Sequence, residues 1–311
     1  MNLNLRSSLL VEAFVRNAGE YRIDAIQSDD TTIVDCGIQA VGGLEAGLML
    51  AEICLAGLAR VEITAGSRDI WPGPAVSVRT DHPVMACLAS QYAGWQLAHG
   101  KFFALGSGPM RSAANKEPLF EDLNYHEATD TVVGVLESRK LPPPEVIEQI
   151  REATGARHIK LVVAPTASQA GNLQIVARSI ETALHKLHEL HFDVGRVQSG
   201  WGVAPLPPVA KDDMAGIGRT NDAILYGAQV VLWVRGDDDT LADVGPRVPS
   251  NASRDYGQPF GEIFKRYNYN FYDIDPLLFS PAEVTLVNLD TGRSHRFGGV
   301  NAELVQRSFQ S

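Results

Sequence analysis

The chain of 311 residues is 45% hydrophobic, 7% aromatic and 21% charged, which excludes disorder, collagen and a disulfide scaffold and suits two lobes of ordinary size. With 27 Lys and Arg against 37 Asp and Glu the formal charge is −10; this disfavours nucleic acid and anionic lipid and suits a cationic or neutral small molecule. No run reaches the roughly 18 apolar residues of a membrane span, Arg6, Glu12 and Arg16 interrupt the first apolar stretch where a signal peptide would not, and Cys36, Cys54 and Cys87 lack the spacing of a disulfide framework or zinc site, so a reducing cytoplasm is expected.

In chain order, Leu9, Leu10, Ala13 and Phe14 mark one face of a first helix stopped by Gly19, and Ile23 to Gln27 with Thr31 to Cys36 read as a hairpin around Asp29-Asp30. Gly42, Gly43 and Gly47 lead into a small-residue helix from about Leu44 to Leu58, which demands close packing. Strands near Arg60 to Thr64 and Ala75 to Thr80 and a helix at Pro83 to Tyr92 precede the strand Lys101 to Leu105, which ends in the loop Gly106-Ser-Gly-Pro-Met-Arg111. Thr131 to Leu136 is an apolar, β-branched run. Pro142-Pro-Pro144 then stiffens the entry to a helix at Glu145 to Thr154 and marks the expected lobe boundary, 1–141 against 142–311, with exchange of segments allowed. A buried strand at Ile159 to Ala164, a turn at Pro165 to Ser168 and one long helix from about Ala170 to Leu190 follow. Gln229 to Arg235 and the hairpin Glu283 to Asn288 and Ser294 to Phe297 read as strands, and a terminal helix closes at Phe309. The order favours an α/β or α+β sandwich over an eight-stranded barrel, which would need regular repeats.

In the long helix Leu173, Val176, Ala177, Ile180, Leu184, Leu187 and His191 recur at steps of three and four and form a core stripe. At about 100° per residue, Arg178, Glu181, His185 and His188 share one flank. Two interpretations of Arg178 and Glu181 stay open: a solvated i,i+3 ion pair, or a buried pair in which the guanidinium holds Glu181 ionised and aims it at water or substrate. The i,i+3,i+6 spacing of His185, His188 and His191 fans around the helix, unlike the i,i+4 pair of H-E-x-x-H, so no metal is assigned. The Gly106–Arg111 loop offers backbone N–H groups and Arg111 to an anion or polar ring edge, or is only a glycine turn; it lacks the endings of a P-loop and of a dinucleotide fingerprint. Gly216-Ile-Gly-Arg-Thr-Asn-Asp222 lines a pocket or joins elements, and Asp237-Asp-Asp239 reads as a solvated turn.

The segments Asp35-Cys-Gly37, Glu52-Ile-Cys54, Phe102-Phe-Ala-Leu-Gly-Ser-Gly-Pro109, Val163-Ala-Pro-Thr-Ala-Ser168, Arg178-x-x-Glu181, Leu190-His-Phe-Asp193, Thr220-Asn-Asp222 and Leu225-Tyr-Gly227, in order through most of the chain, resemble the methenyltetrahydromethanopterin cyclohydrolase family. The resemblance implies a cytoplasmic enzyme of one-carbon metabolism that reversibly hydrolyses 5,10-methenyl-tetrahydromethanopterin, or its dephospho form, to the 5-formyl compound without metal or nucleotide cofactor. It implies two associated α/β lobes with the pterin cleft between them, a homotrimer, and Arg178 and Glu181 as the catalytic pair. The archaeal pattern has a lysine where this chain has Tyr92, so that lysine's role does not transfer; its loss fits a substrate with fewer negative groups. Polar loop chemistry and the matching segments add Ser90, Tyr92, Gly106, Ser107, Gly108, Arg111, Thr166, Ser168, Asn221 and Asp222 as substrate-binding candidates. A phosphate- or nucleotide-handling transferase using the Gly106 loop, and a non-catalytic pterin-binding protein, are the competing classes.

Overall fold

The computed structural model describes residues 1–310, the side chain of Tyr272 excepted. Among them are the strands β1 (Asp24–Gln27), β2 (Thr31–Asp35), β3 (Ala59–Ala65), β4 (Pro74–Thr80), β5 (Trp95–His99), β6 (Phe102–Ser107), β7 (Thr131–Glu137), β8 (His158–Ala164), β9 (Val197–Pro205), β10 (Gln229–Val234), β11 (Glu283–Asn288) and β12 (Ser294–Gly298). They form two six-stranded sheets, each with its own helices, as expected for two α/β lobes.

The first compact unit comprises Met1–Ala59 and Met85–Gln174, and its sheet has the order β1-β2-β8-β7-β6-β5. β2, β8 and β7 run parallel, flanked by the antiparallel β1 and the antiparallel pair β6 and β5. Helices cover both faces, so the central strands are almost wholly apolar. Val132, Leu136, Leu161 and Val163 pack with Val146 and Ile150 of helix Pro144–Thr154 on one side. Val34, Val133, Val135 and Val162 meet Val11 and Phe14 of helix Leu3–Arg16 and Ala46, Leu50 and Ile53 of helix Leu44–Cys54 on the other. Each such side chain contributes roughly 1.5–3 kcal/mol by leaving water. The close packing expected of the small-residue helix is present: a Cβ on Gly47 would stand 2.9 Å from Leu173 Cβ and 3.1 Å from Ala170 Cα.

The second unit comprises Arg60–Val84 and the chain from Ile175 onward, with sheet order β12-β11-β10-β9-β4-β3. A break at Pro142 differs from this division: β8 inserts between β2 and β7, which ties 142–174 to the first unit, while β3 and β4 join the second sheet beside β9.

Three elements depart from the expected pattern. The segment before Tyr92 is a helix, Val84–Gln91, but of the wide π type, with Tyr92 N donating to Cys87 O at 2.8 Å; such turns are uncommon and gather at functional sites. Gly216 to Asp222 lies within the fifteen-residue helix Asp213–Gly227. Its two inner glycines lower helix propensity, but Asp212 caps it by accepting from Ala215 N at 2.9 Å. The acidic run Asp237 to Asp239 likewise opens a helix, Asp238–Val244, with Asp237 as its cap.

Candidate active site

The expected long helix is two helices, Gln169–Val176 and Ser179–Glu189, separated at Ala177 and Arg178. Arg178 stands at the N-cap with φ −90° and ψ 11°; its N–H donates to Ile175 O at 3.1 Å and its carbonyl accepts from Thr182 N at 2.9 Å. Glu181 falls in the first turn of the second helix, where backbone N–H groups point out and the helix dipole favours a carboxylate. The sheet below dictates this placement. Within the second unit, a Cβ on Gly200 would lie 3.0 Å from Ile180 Cγ2 and one on Gly202 would overlap Ser179 Oγ, so glycine at both positions of β9 lets the helix rest on bare backbone.

Both Arg178 and Glu181 are buried. Arg178 is 7% exposed and Glu181 4%, so the pair is not a solvated one. The rest of the stripe is fully buried, but not His191: it is exposed with φ 60°, one of the residues that turn the chain out of the helix. Lys186 on the same helix is buried and donates from Nζ to Leu277 O; burial pulls its pKa down to about 8 against the opposing charge of Asp275. His185 Nε2 lies 3.6 Å from Glu189 Oε1. Among the described residues no group of three or more His, Cys, Asp or Glu is placed to hold a metal.

In the first unit the Gly106 loop is a structural hub. Gly108 has φ +88°, a left-handed conformation that favours glycine, and its N–H donates to Ser90 O at 2.9 Å. Gly106 admits Met110 Cε at 2.8 Å from where its Cβ would be. Ser107 Oγ lies 3.3 Å from both Val135 O and Cys54 Sγ, and Ser90 Oγ donates to Cys54 O at 2.6 Å. Arg111, expected to reach toward an anion, is only 1% exposed. It donates from Nε to Glu117 Oε1 at 2.8 Å, from Nη2 to Glu117 Oε2, and from Nη1 to Leu88 O and Ser90 O at 3.1 and 3.2 Å. Its guanidinium carbon also lies 4.9 Å from the Tyr92 ring centre and 5.3 Å from that of Phe120. Tyr92, partly exposed, is therefore backed by a buried cation, and the candidate anion ligand is that backing.

The carboxyl ends of the parallel strands β2, β8 and β7 carry further polar groups, and such ends are where open α/β sheets bind ligands. Asp35 closes β2 and accepts from the N–H groups of Gly37, Ile38, Gln39 and Ala40 at 2.7–3.1 Å. Burial pushes its pKa up, but these four donors outweigh it and hold the carboxyl below its ordinary value. After β8, Ser168 Oγ donates to Pro165 O at 2.8 Å and accepts from Gly171 N at 3.0 Å, with Thr166 buried in the same turn. Glu137 ends β7 and accepts from Gln174 Nε2 at 3.0 Å. Neither Glu137 nor Gln174 was singled out from sequence; the available signal was a carboxylate directly after an apolar, β-branched strand.

The family model described as Cyclohydrolase (MCH) matches residues 2–309. The chain belongs to this family. It is 47% identical to the methenyltetrahydromethanopterin cyclohydrolase of Methylobacillus flagellatus, over 99% of this chain and 95% of that one. It is 50% identical to the one from Xanthobacter autotrophicus, over 96% and 90%, and 36% identical to the one from Methanococcoides burtonii, over 99% and 98%. The chain is accordingly a cyclohydrolase. No helix among its described residues is long and apolar enough to cross a membrane.

In this cyclohydrolase Asn221 and Asp222 sit on helix Asp213–Gly227 with their side chains engaged locally. Asn221 Nδ2 donates to Ile217 O at 2.9 Å, and Asp222, 1% exposed, accepts from Phe260 N at 2.7 Å at the start of helix Phe260–Arg266. Burial drives the pKa of Asp222 up to about 7, against hydrogen bonds from Ser308 and Phe260. Its folded pKa thus exceeds its unfolded one. The stability it contributes is complete below the ordinary carboxylate value and is lost as pH rises toward and through about 7. At ~1.4 kcal/mol per pH unit this amounts to a few kcal/mol. Asp222→Asn, which keeps an acceptor for Phe260, is expected to flatten the stability profile between pH 5 and 8; urea midpoints at the two ends measure it, and an equally steep decline in both proteins refutes the assignment.

Proposed function

We propose that this cyclohydrolase interconverts 5,10-methenyl-tetrahydromethanopterin, or its dephospho form, and the 5-formyl compound in one-carbon metabolism, with Glu181 as base and acid. The single observation supporting the role of Glu181 is its burial together with Arg178 at the first turn of helix Ser179–Glu189. The methenyl carbon bridges two nitrogens as an amidinium-like cation and is already electrophilic, so the reaction requires neither metal nor nucleotide. Glu181 takes a proton from water as the water oxygen bonds to that carbon, and the carbon–nitrogen π electrons settle on nitrogen to give a neutral hydroxylated ring. The protonated carboxyl then gives that proton to the aryl nitrogen as the bond from that nitrogen to the carbon breaks, and the carboxylate so formed takes the hydroxyl proton as the carbon–oxygen double bond forms, leaving the formyl group on the other nitrogen and one proton to be released to solvent. Arg178 orients Glu181 and the water. Such acid–base work contributes typically about 100- to 10,000-fold.

Tyr92 and the Thr166–Ser168 turn are the proposed substrate contacts, with Arg111 behind the Tyr92 ring and held in turn by the Ser90 carbonyl. The same proposal has the protein in the cytoplasm as a homotrimer, on the family pattern. A spectrophotometric assay with methenyl-tetrahydromethanopterin beside the tetrahydrofolate analogue tests it: the methenyl absorbance is expected to bleach. Binding without bleaching would indicate a pterin-binding protein instead. Thermal protection by nucleotides would indicate a transferase, a class already disfavoured because the donors of Arg111 are engaged within the fold.

A further inference from the structure

We infer that copies of this chain associate through the open face of the second unit's sheet. This deepens the proposed homotrimer, on which it rests for association itself, by assigning the surface that carries it.

Register pairs fix which side chains share that face. Arg79 of β4 stands opposite Trp201 of β9, Trp201 opposite Val231 of β10, Val231 opposite Thr285 of β11 and Thr285 opposite Arg296 of β12. Directly opposed residues point to the same side of a sheet, so these five form one row. A second row joins Ser199, Trp233, Val287 and Ser294, and a third Ser77, Val203, Gln229 and Glu283. The intervening positions point the other way: Val76, Val78, Val230, Leu232, Val284 and Leu286 are at most 1% exposed, on the side where Gly200 and Gly202 receive helix Ser179–Glu189.

A sheet with one face left to water carries polar residues on that face. Here Trp201, Val203, Val231, Trp233 and Val287 occupy its middle, and all five stay partly exposed. Each indole alone can take about 150–250 Å² out of water when covered. The ionic groups stand toward the two edges in opposite-sign pairs. Arg79 forks onto Glu62 of the edge strand β3 at 2.6 and 3.1 Å, and Glu283 accepts from Gln229 and from Arg296 of the other edge strand, β12.

Three features select a second copy as the occupant. The chain carries a formal charge of −10 and repels its like over most of its surface, but a face whose charges are paired does not. Where the Glu62–Arg79 edge of one copy meets the Glu283–Arg296 edge of the next, each charge finds an opposite. The two halves of the face also differ in relief. The β3–β4–β9 half holds a groove of about 450 Å³ lined by Thr64, Ala65, Ile70, Trp201 and Val203, and the β10–β11–β12 half presents Trp233 and Val287, so a rotation that seats this ridge in the groove of the next copy can close a ring. Finally, the face has six strands; at ~4.8 Å apart and about three side chains each, they span on the order of 500 Å² in plan. Side-chain relief raises this toward the ~800 Å² per partner of a stable interface, an area no small molecule covers.

Sedimentation equilibrium of the full chain at micromolar concentration tests this, with Val231→Glu and Thr285→Lys beside wild type. Wild type is expected at the mass of three chains. Both variants are expected at the mass of one, with an unchanged far-UV spectrum and tryptophan emission shifted to the red as Trp201 and Trp233 meet water. Positions 231 and 285 are partly exposed in the single chain, where a charge stays wet, whereas an assembly would bury it unpaired. Should Val231→Glu lose its fold, Thr285→Lys decides, because the flexible lysine stem carries its ammonium out to water. Wild type at the mass of one chain overturns the inference together with the homotrimer. A folded Thr285→Lys protein at the wild-type oligomer mass overturns the face and leaves the homotrimer standing. A wild-type mass of two chains, lost in the folded variants, keeps the face and corrects the count.

Discussion

Glu181→Gln is expected to lose at least roughly a hundredfold in kcat while the protein stays folded and binds the methenyl substrate. Glutamine matches glutamate in size, so the first turn of helix Ser179–Glu189 and its seat on Gly200 and Gly202 are preserved. On the proposed mechanism, what disappears is the ability to take a proton from the attacking water and give it to the leaving nitrogen. KM has no comparable reason to change, because binding of the ring does not depend on proton transfer, apart from the attraction between a carboxylate and a cationic substrate. Stopped-flow or steady-state bleaching of the methenyl band, with a thermal melt as control for folding, measures both. Turnover within a fewfold of wild type would remove Glu181 from the mechanism.

Arg111→Met is expected to show the largest loss of stability of any change considered, about 3–5 kcal/mol, as found when one partner of a buried ion pair is removed. The side chain is fully enclosed, so methionine keeps much of the apolar volume, but Glu117 loses both of its guanidinium hydrogen bonds and the carbonyls of Leu88 and Ser90 lose their donor. Lysine would not repair the site: a single ammonium cannot reproduce the fork to Glu117 or lie flat beside Tyr92 and Phe120. Urea denaturation of the two proteins gives the difference directly. A loss below about 1 kcal/mol, the scale of a surface pair, would mean that Arg111 is not the hub its contacts describe. Because Ser90 and Tyr92 hang on the same guanidinium, a destabilised Arg111→Met is also expected to bind substrate more weakly.

Much of this fold was legible where a segment's own residues carry the signal. The apolar, β-branched runs of β7 and β8, the hairpins β1–β2 and β11–β12, and the helix opened by Pro144 and closed by the left-handed Gly155 all lie where periodicity and turn chemistry put them. β9 was missed because Gly200 and Gly202 weaken a strand signal, and they are there for the helix that leans on them. The break at Arg178 was missed because apolar spacing continues straight through it: Leu173, Val176, Ala177 and Ile180 are all buried on both sides of the interruption.

For the site, the arginine and glutamate three residues apart were visible as a pattern, and so was the π-helical segment as a helix. Periodicity, capping and turn preferences are interactions between near neighbours, so the chain by itself determined its helices and strands, two lobes' worth of core and the spacing of its proposed catalytic pair. Whether that pair is wet or dry, whether Arg111 reaches outward or props Tyr92, and that Glu137 meets Gln174 across 37 positions depend on which surface each element is pressed against. Such contacts join residues far apart in sequence, and burial decides the worth of every charge in them, so only the tertiary structure could assign these roles.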